Sequence, residues 1–329
     1  MLHVNMGRTG LQVSRLCLGT MTFGIQCDEP TSFAILDAAA EAGITFLDTA
    51  DVYPLGGRGE EAGLTEEIVG RWLKGRRDDV IVATKCFGAM SRRRWDRGGS
   101  RKHILDAVEG SLRRLGTDHI DLYQLHGDDP RTPLDETLAA FDHLVTSGKV
   151  RYVGCSNYSA WRLARAIGRS EVRDLVRYDC VQPRYNLLFR AFERDLFPLC
   201  VEEGVGVIPY NPLAGGFLTG KHRPGDPTAD TRFTLGTAAG RYQDRYWHEQ
   251  MFATVEELAR LAREADMTLA QLAVAWCLAQ PAITSPIIGA SKPQQLADAV
   301  AAVESPLDAD LLARLDELTR PYRLADVDR

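Results

Sequence analysis

Eight short apolar runs, each followed by an amphipathic stretch, constrain the fold of this chain more than any other feature. Neighbouring parallel strands need a crossover connection, usually a helix, so this alternation predicts a parallel sheet. Eight such units close most simply on themselves, and we predict an α/β fold of the (β/α)8 TIM barrel type. The predicted strands cover residues 16–19, 45–48, 80–85, 120–125, 150–156, 180–182, 205–210 and 285–288.

Three further segments lie outside these eight units. Residues 2–14 predict a β-hairpin ahead of the first strand, which could form the floor of the barrel. The aperiodic stretch 224–246 predicts an insertion after the seventh strand, and residues 308–318 predict an extra C-terminal helix. Because no Ser/Pro-rich linker divides the chain, we predict one domain over residues 1–329.

Charge and cysteine usage exclude several classes of function. The net charge of -6 and the isoelectric point near 5.7 argue against nucleic-acid or anionic-membrane partners, which need a basic surface. The basic run Arg92, Arg93 and Arg94 is an exception, either a solvated loop rim or a clamp for an anionic substrate. Seven scattered cysteines without a C-x-x-C pattern and the lack of a long apolar run predict a cytoplasmic protein.

Four polar residues fall at or just after the C-terminal ends of predicted strands. These residues are Asp48, Tyr53, Lys85 and His126. In a (β/α)8 barrel such strand ends meet on one face, where barrel enzymes keep their chemistry. A carboxylate, a phenol, an ammonium and an imidazole in one mouth predict a site that donates a proton.

A phenol is a poor acid at neutral pH, so its neighbours decide whether it can serve. Lowering the pKa of Tyr53 by two to three units requires about 3 to 4 kcal/mol. One ammonium at about 4 Å, with an effective dielectric near 20, supplies about 4 kcal/mol, so Lys85 is sufficient. Asp48 would keep Lys85 charged, and His126 would orient a substrate carbonyl. Each residue alone could be a cap, a core aromatic, a surface lysine or a core histidine, but their shared position favours catalysis.

Longer motifs are more specific than the strand pattern. They are LGTMTFG (18–24), FLDTADVY (46–53), ATK (83–85), SLRRLGTDHIDLYQLH (111–126), GKVRYVGCSN (148–157), YNPLAGGFLTGK (210–221) and IIGAS (287–291). With these motifs the chain resembles the aldo-keto reductase superfamily over nearly its whole length, and in particular bacterial NADP-dependent reductases of the aryl-alcohol and glyceraldehyde-phosphate kind. The resemblance implies that Tyr53 is the general acid/base, assisted by Asp48, Lys85 and His126.

The same resemblance implies that NADP(H) lies extended across the barrel mouth. Ser156, Asn157 and Gln182 would hold the nicotinamide carboxamide, Tyr210 would stack on the ring, and the glycine-rich residues 215–221 would fold over the pyrophosphate. The full implied set is Gly19, Thr20, Met21, Asp48, Ser156, Asn157, Gln182, Tyr210, Asn211, Pro212, Leu213, Gly215, Gly216, Leu218, Gly220, Lys221, Ile288, Gly289, Ala290, Ser291, Lys292 and Gln295.

The chain departs from the family at the adenosine end of the implied cofactor. Residues 289–292 precede the last helix of the barrel, whose N-terminus could bind the 2'-phosphate of NADPH. Many members have Asn in the following turn, where this chain has Ala299, and no arginine follows to hold the phosphate. The sequence therefore predicts NADP(H), with NADH left as the alternative.

The substrate is predicted only as a small carbonyl compound, with Phe23, Phe87, Trp95 and Tyr158 as pocket walls. Aromatic walls suit an aryl or aliphatic aldehyde, whereas the basic run 92–94 suits a phosphate. A redox-sensing subunit like the potassium-channel β-subunits, with the same barrel but little turnover, is the second hypothesis. A metal-dependent hydrolase using His126, Asp128 and Asp129 is the third, and it lacks a second nitrogen ligand at usable spacing, so we predict no metal. The sequence predicts no oligomeric state.

Overall fold

The computed structural model describes residues 1–57 and 59–324. Position 58 and residues 325–329 of the predicted single domain lie outside the described residues. The strands of the described part are β1 (His3–Asn5), β2 (Gln12–Ser14), β3 (Cys17–Gly19), β4 (Phe46–Asp48), β5 (Ile81–Cys86), β6 (Ile120–Leu125), β7 (Val150–Ser156), β8 (Cys180–Gln182), β9 (Gly206–Val207) and β10 (Ile287–Gly289).

Strands β3 to β10 form one parallel sheet that curls into a barrel. Their order is β10-β3-β4-β5-β6-β7-β8-β9. Parallel bridges join Val207 to Ile283 and Tyr210 to Ile287, and the Ile287 N–H donates to Pro209 O over 2.8 Å, so β9 and β10 meet. The predicted (β/α)8 architecture is confirmed.

Helices connect and follow the strands as the sequence pattern predicts. They are α1 (Glu29–Glu41), α2 (Leu64–Trp72), α3 (Arg101–Leu115), α4 (Leu134–Thr146), α5 (Ala160–Arg173), α6 (Leu196–Glu203), α7 (Ala239–Tyr246), α8 (Glu249–Glu264), α9 (Leu269–Ala279), α10 (Leu296–Glu304) and α11 (Ala309–Thr319). Local signals set several helix ends, as where Asp28 accepts from Thr31 N and Gly116 ends α3 in a left-handed conformation.

The N-terminal hairpin forms the floor of the barrel. Met6 and Val13 are fully buried and pack with inward-facing Phe46, Ala83 and Leu122 in one apolar cluster. The contact is tight, because a side chain at position 206 would place its Cβ only 2.5 Å from the sulfur of Met6. The hairpin prediction is confirmed, and the hairpin closes the N-terminal end of the barrel.

Two regions differ in detail from the predicted elements. The seventh strand was expected over 205–210 but is regular only at Gly206–Val207. Pro209, whose carbonyl accepts from Ile287 N of β10, has no N–H to donate back to that strand. The insertion 224–246 is partly helical, since α7 forms its last 8 residues. No helix within the described residues is long and apolar enough to cross a membrane.

Candidate active site

The centre of the mouth is a buried ion pair between neighbouring strands. Asp48 ends β4, and Lys85 lies one residue before the end of β5. The Lys85 ammonium contacts Asp48 Oδ2 at 2.6 Å and Thr49 O at 2.7 Å, and its side chain is fully buried. Burial lowers the pKa of Lys85, but Asp48 and Tyr53 outweigh this effect and raise it above the ordinary value. The lysine therefore remains charged.

Two amides complete the surroundings of the Asp48 carboxylate. Gln182 Nε2 donates to Asp48 Oδ1 over 2.9 Å, and Gln124 Nε2 donates to the same atom over 3.3 Å. Gln182 Nε2 also lies 3.2 Å from Gln124 Oε1. Because a buried charge is tolerated only when it is paired and hydrogen-bonded, these amides explain how Asp48 is accommodated inside the barrel.

Tyr53 lies in the loop after β4, close to the lysine. The Lys85 ammonium is 3.4 Å from the Tyr53 hydroxyl and 4.9 Å from the ring centroid. Burial raises the pKa of Tyr53, and Lys85 lowers it by a smaller amount. Our expectation of a net lowering was wrong, because desolvation of the phenolate outweighs the attraction of one ammonium. Tyr53 is protonated at neutral pH, the state that a proton donor requires.

His126 follows β6 and completes the group. Its backbone N–H donates to Cys86 O over 2.9 Å, and its ring meets the Tyr53 ring edge to face at 5.7 Å between centroids. Burial, together with the Lys85 charge, lowers the pKa of His126 to about 3. The imidazole is therefore neutral at physiological pH and can donate from one ring nitrogen.

The residues implied for the nicotinamide carboxamide form a connected group at the ends of β7 and β8. Ser156 Oγ donates to Gln182 O over 2.9 Å, and Asn157 Nδ2 donates to His126 O over 2.9 Å. The Tyr210 hydroxyl donates to Asn157 Oδ1 over 2.9 Å. The group thus joins the tetrad to Tyr210 through hydrogen bonds.

The implied pyrophosphate loop is a tight turn after β9. Ala214, Gly215 and Gly216 all have positive φ, at 49°, 71° and 98°. The turn begins at Asn211, whose Oδ1 accepts from Gly215 N over 2.5 Å. A side chain at position 215 would place its Cβ 2.6 Å from the ring of Tyr242, so glycine is required there. Pro212, Leu213, Leu218 and Gly220 belong to the same turn.

Sequence reasoning missed a cation that the insertion brings to this turn. Arg232 Nη1 lies 3.7 Å from Met21 Sδ and 3.2 Å from the Tyr242 hydroxyl. A Cβ atom added at Gly289, the last residue of β10, would lie 3.5 Å from Arg232 Nη2. The sequence around position 232 has no helical or strand periodicity, so it did not predict that Arg232 lies beside the turn. The position of a residue in an irregular loop depends on how the loop folds, which local pattern does not show.

The residues present fit a phosphate-bearing cofactor. A Cβ atom added at Gly216 would lie 4.0 Å from Lys221 Nζ, so the lysine is close to the turn. Burial lowers the pKa of this lysine. Within residues 1–57 and 59–324, neither Lys221 nor Arg232 has an ion-pair partner. Two cations beside glycine backbone are the donor set that a pyrophosphate or a 2'-phosphate needs.

The implied adenosine-end residues lie after β10 on a short turn. Gln295 Oε1 accepts from Ser291 N over 2.8 Å and lies 3.2 Å from Ser291 Oγ. Ala299 is buried in the hydrophobic core, so this position offers no polar contact to a ligand. Gly19, Thr20, Ile288, Ala290 and Lys292 lie on the neighbouring ends of β3 and β10.

The four predicted pocket walls lie in different environments. Phe87 packs at the mouth, where its ring would be 3.3 Å from a Cβ at Gly127. Phe23 and Tyr158 are buried in the hydrophobic core. Trp95 is 56 % exposed and borders a surface depression with α3 residues. The arginines of the run 92–94 are solvent-exposed.

The carboxylates of the metal-hydrolase hypothesis serve structural roles. Asp128 Oδ1 accepts from Arg162 Nε over 2.8 Å. Asp129 Oδ2 accepts from Gly99 N and from Thr132 Oγ1, both over 2.9 Å. Because these bonds occupy both carboxylates, the arrangement gives the metal hypothesis no support.

Comparison with known proteins defines the class. A model of the Aldo/keto reductase family matches residues 15–320. The uncharacterized oxidoreductase YrpG of Bacillus subtilis (strain 168) is 42% identical over 97% of this chain and 96% of its own length. A probable voltage-gated potassium channel subunit beta of Oryza sativa subsp. japonica is 37% identical over 92% of each chain. Protein tas of Escherichia coli (strain K12) is 35% identical over 95% of this chain and 96% of its own length.

The protein is a (β/α)8-barrel oxidoreductase by its fold and its relatives. It belongs to the aldo/keto reductase family, whose model covers nearly the whole chain. The family resemblance that the motifs indicate is therefore confirmed.

Proposed function

We propose that the protein reduces an aldehyde or ketone to an alcohol, reversibly and with NADPH, and that Tyr53 is the general acid/base. One observation carries the proposal. The Lys85 ammonium lies 2.6 Å from Asp48 and 3.4 Å from the Tyr53 hydroxyl, at the mouth of a barrel that belongs to the aldo/keto reductase family.

Tyr53 delivers the proton to the carbonyl oxygen in this proposal. Burial keeps the phenol protonated at neutral pH, so it has a proton to give. When negative charge develops on the substrate oxygen, the phenol O–H donates its proton and becomes a phenolate. The Lys85 ammonium then stabilises that phenolate, and Asp48 keeps the ammonium charged.

His126 positions the substrate without adding a charge. Its pKa of about 3 means that the ring is neutral across the physiological range. A neutral imidazole N–H can hydrogen-bond the carbonyl oxygen, while the edge-to-face contact holds the ring beside Tyr53. Two donors then converge on one oxygen atom.

NADP(H) supplies the hydride in this proposal. Gln182 Oε1 accepts no hydrogen bond within the described residues, so it can accept one from a carboxamide. Lys221 and Arg232 would contact the phosphates, and Tyr210 would pack against the nicotinamide. We favour NADPH over NADH because two unpaired cations suit the additional phosphate. The seven free, buried cysteines suit a reducing compartment such as the cytoplasm.

A redox-sensing role is the second candidate. It is favoured by the 37% identity to a relative named as a probable potassium channel subunit beta. In that role the protein would bind NADPH tightly, turn over carbonyls slowly and form a stable complex with a partner. A panel of aryl, aliphatic and phosphorylated aldehydes, with NADPH or NADH consumption as the signal, separates the two functions.

The first prediction concerns Tyr53→Phe. We expect the rate of carbonyl reduction to fall by about a hundredfold to ten-thousandfold, the usual contribution of a general acid. NADPH affinity should stay within about threefold, because the hydroxyl belongs to the proton-transfer step. Tyr322→Phe is the matched control, since it removes a buried hydroxyl whose partner is Thr254 of α8 and not a member of the tetrad. Single-turnover hydride transfer at the wild-type rate in Tyr53→Phe would refute the assignment.

A further inference from the structure

The hydroxyl of Tyr246, on α7 of the insertion, joins three segments around the barrel mouth. Asn186 Nδ2 donates to it over 3.1 Å, and Asn211 Nδ2 donates to it over 2.8 Å. Asn186 Nδ2 also lies 3.0 Å from Asn211 O. Asn186 follows β8 and Asn211 follows β9, so one buried hydroxyl links two strand-end loops to the insertion. We call Asn186, Asn211 and Tyr246 the Tyr246 node.

The Asn211 side chain is engaged at both ends. Its Nδ2 donates to Tyr246, and its Oδ1 accepts from Gly215 N over 2.5 Å. Asn211 itself has φ of 68°, in the left-handed region that asparagine tolerates better than most residues. The amide is thus used to shape the glycine-rich turn rather than directed outward at a ligand.

The turn that Asn211 begins needs such support. Three successive residues, 214 to 216, have positive φ, and one of them is an alanine. Left-handed backbone at a residue with a Cβ costs free energy and persists only where the surroundings hold it. Among the described residues, the Tyr246 node is what binds the Asn211 amide that closes this turn.

We propose that the Tyr246 node is a positioning device that holds residues 211–216 in the shape that binds the cofactor pyrophosphate. The insertion then controls how long the cofactor is retained. This inference rests on the proposed function. If the node is lost, the turn samples other conformations, and apparent cofactor affinity falls in proportion to the remaining competent fraction.

The Tyr246→Phe variant tests the hydroxyl alone. The ring of Tyr246 lies nearly parallel to Phe217, with centroids 6.4 Å apart, so phenylalanine preserves the packing. We expect the Kd for NADPH to rise about tenfold, equivalent to about 1.4 kcal/mol, through faster dissociation. The kcat at saturating NADPH should stay within about twofold, because Tyr246 does not touch the tetrad.

Tyr322→Phe again provides the matched control, since the Tyr322 hydroxyl is buried and lies 2.7 Å from Thr254 Oγ1. It should leave the Kd for NADPH at the wild-type value. Hydrogen exchange of amides 213–218 gives a readout without cofactor. Exchange should be faster in Tyr246→Phe than in wild type and unchanged in Tyr322→Phe.

The Asn211→Gly variant tests whether the two residues act together. Glycine relieves the backbone cost at position 211 but removes both side-chain bonds, so cofactor affinity should still fall. Adding Tyr246→Phe to Asn211→Gly should cause little further loss, and fully additive losses would contradict the node.

The outcomes separate this inference from the proposed function. Wild-type protein that takes up no NADPH would overturn the proposed function and, with it, a role of the node in cofactor retention. Tight NADPH binding by the wild type, with unchanged Kd and unchanged exchange in Tyr246→Phe, would overturn the node alone.

Discussion

The two ends of the barrel interior are built from the same strands but differ in chemistry. On β6, Leu122 faces the apolar cluster of the floor, whereas Gln124, two residues later, faces the Asp48 carboxylate. On β4, Phe46 likewise faces the apolar cluster of the floor, and Asp48 faces the mouth, where it pairs with Lys85. A step of two residues along a strand keeps a side chain on the inner face and moves it from floor to mouth.

This difference shows how the fold accommodates a buried charge pair. Each large apolar side chain of the floor contributes about 1.5 to 3 kcal/mol when it is buried. The mouth desolvates Lys85 and Asp48, whose attraction offsets that cost only because Gln124 and Gln182 complete the hydrogen bonding. We infer that the floor carries the stability of the barrel interior and that the mouth carries its reactivity.

The largest effect should come from breaking the mouth with Lys85→Met. An uncompensated carboxylate at Asp48 should lower the free energy of unfolding by about 3 to 5 kcal/mol, measured by urea denaturation. Adding Asp48→Asn should recover part of the loss. Since Lys85 lowers the pKa of Tyr53, the basic limb of the reduction profile should move to higher pH in Lys85→Met. Unchanged stability and an unchanged pH profile would show that Lys85 neither compensates the charge of Asp48 nor tunes the pKa of Tyr53.

A cavity in the floor should affect stability without affecting chemistry. Leu122→Ala should cost about 2 to 5 kcal/mol of unfolding free energy, because a fully buried leucine leaves a void. The kcat at saturating cofactor should stay within about twofold, since the tetrad is untouched. A loss of kcat comparable to the loss of rate expected for Tyr53→Phe would show that floor and mouth are not separate.

The smallest effect on stability should come from Asp179, whose carboxyl group lies beside the floor of the barrel. Burial raises the pKa of Asp179 to about 6, so the fold favours its neutral form. Stability from this group is present below the unfolded pKa near 4 and is lost as pH rises through about 6. Asp179→Asn keeps an acceptor for Val153 N and should gain at most about 3 kcal/mol at pH 7, and nothing at pH 3. An equal effect at both pH values, in paired urea titrations, would contradict this origin.

Local pattern was enough to predict the barrel and its hairpin. Apolar runs with Val, Ile and Leu report burial on both faces of a strand, which only a covered parallel sheet provides. The apolar pattern did not predict how far the seventh strand runs within residues 205–210, because hydrophobicity does not show that Pro209 lacks an N–H to donate. It also did not place Trp95, since an aromatic ring in a loop has no periodicity to assign it to mouth or surface.

The order of residues by itself determined the family, the succession of strands and helices, and the strand ends at which Asp48, Lys85 and His126 stand. These features depend on local periodicity and motif spacing, which the chain carries in one dimension. Only the tertiary structure decided that burial outweighs Lys85 in setting the pKa of Tyr53, and that Arg232 and Tyr246 return from the insertion to the mouth. Desolvation and contacts between distant segments depend on what surrounds a group in space.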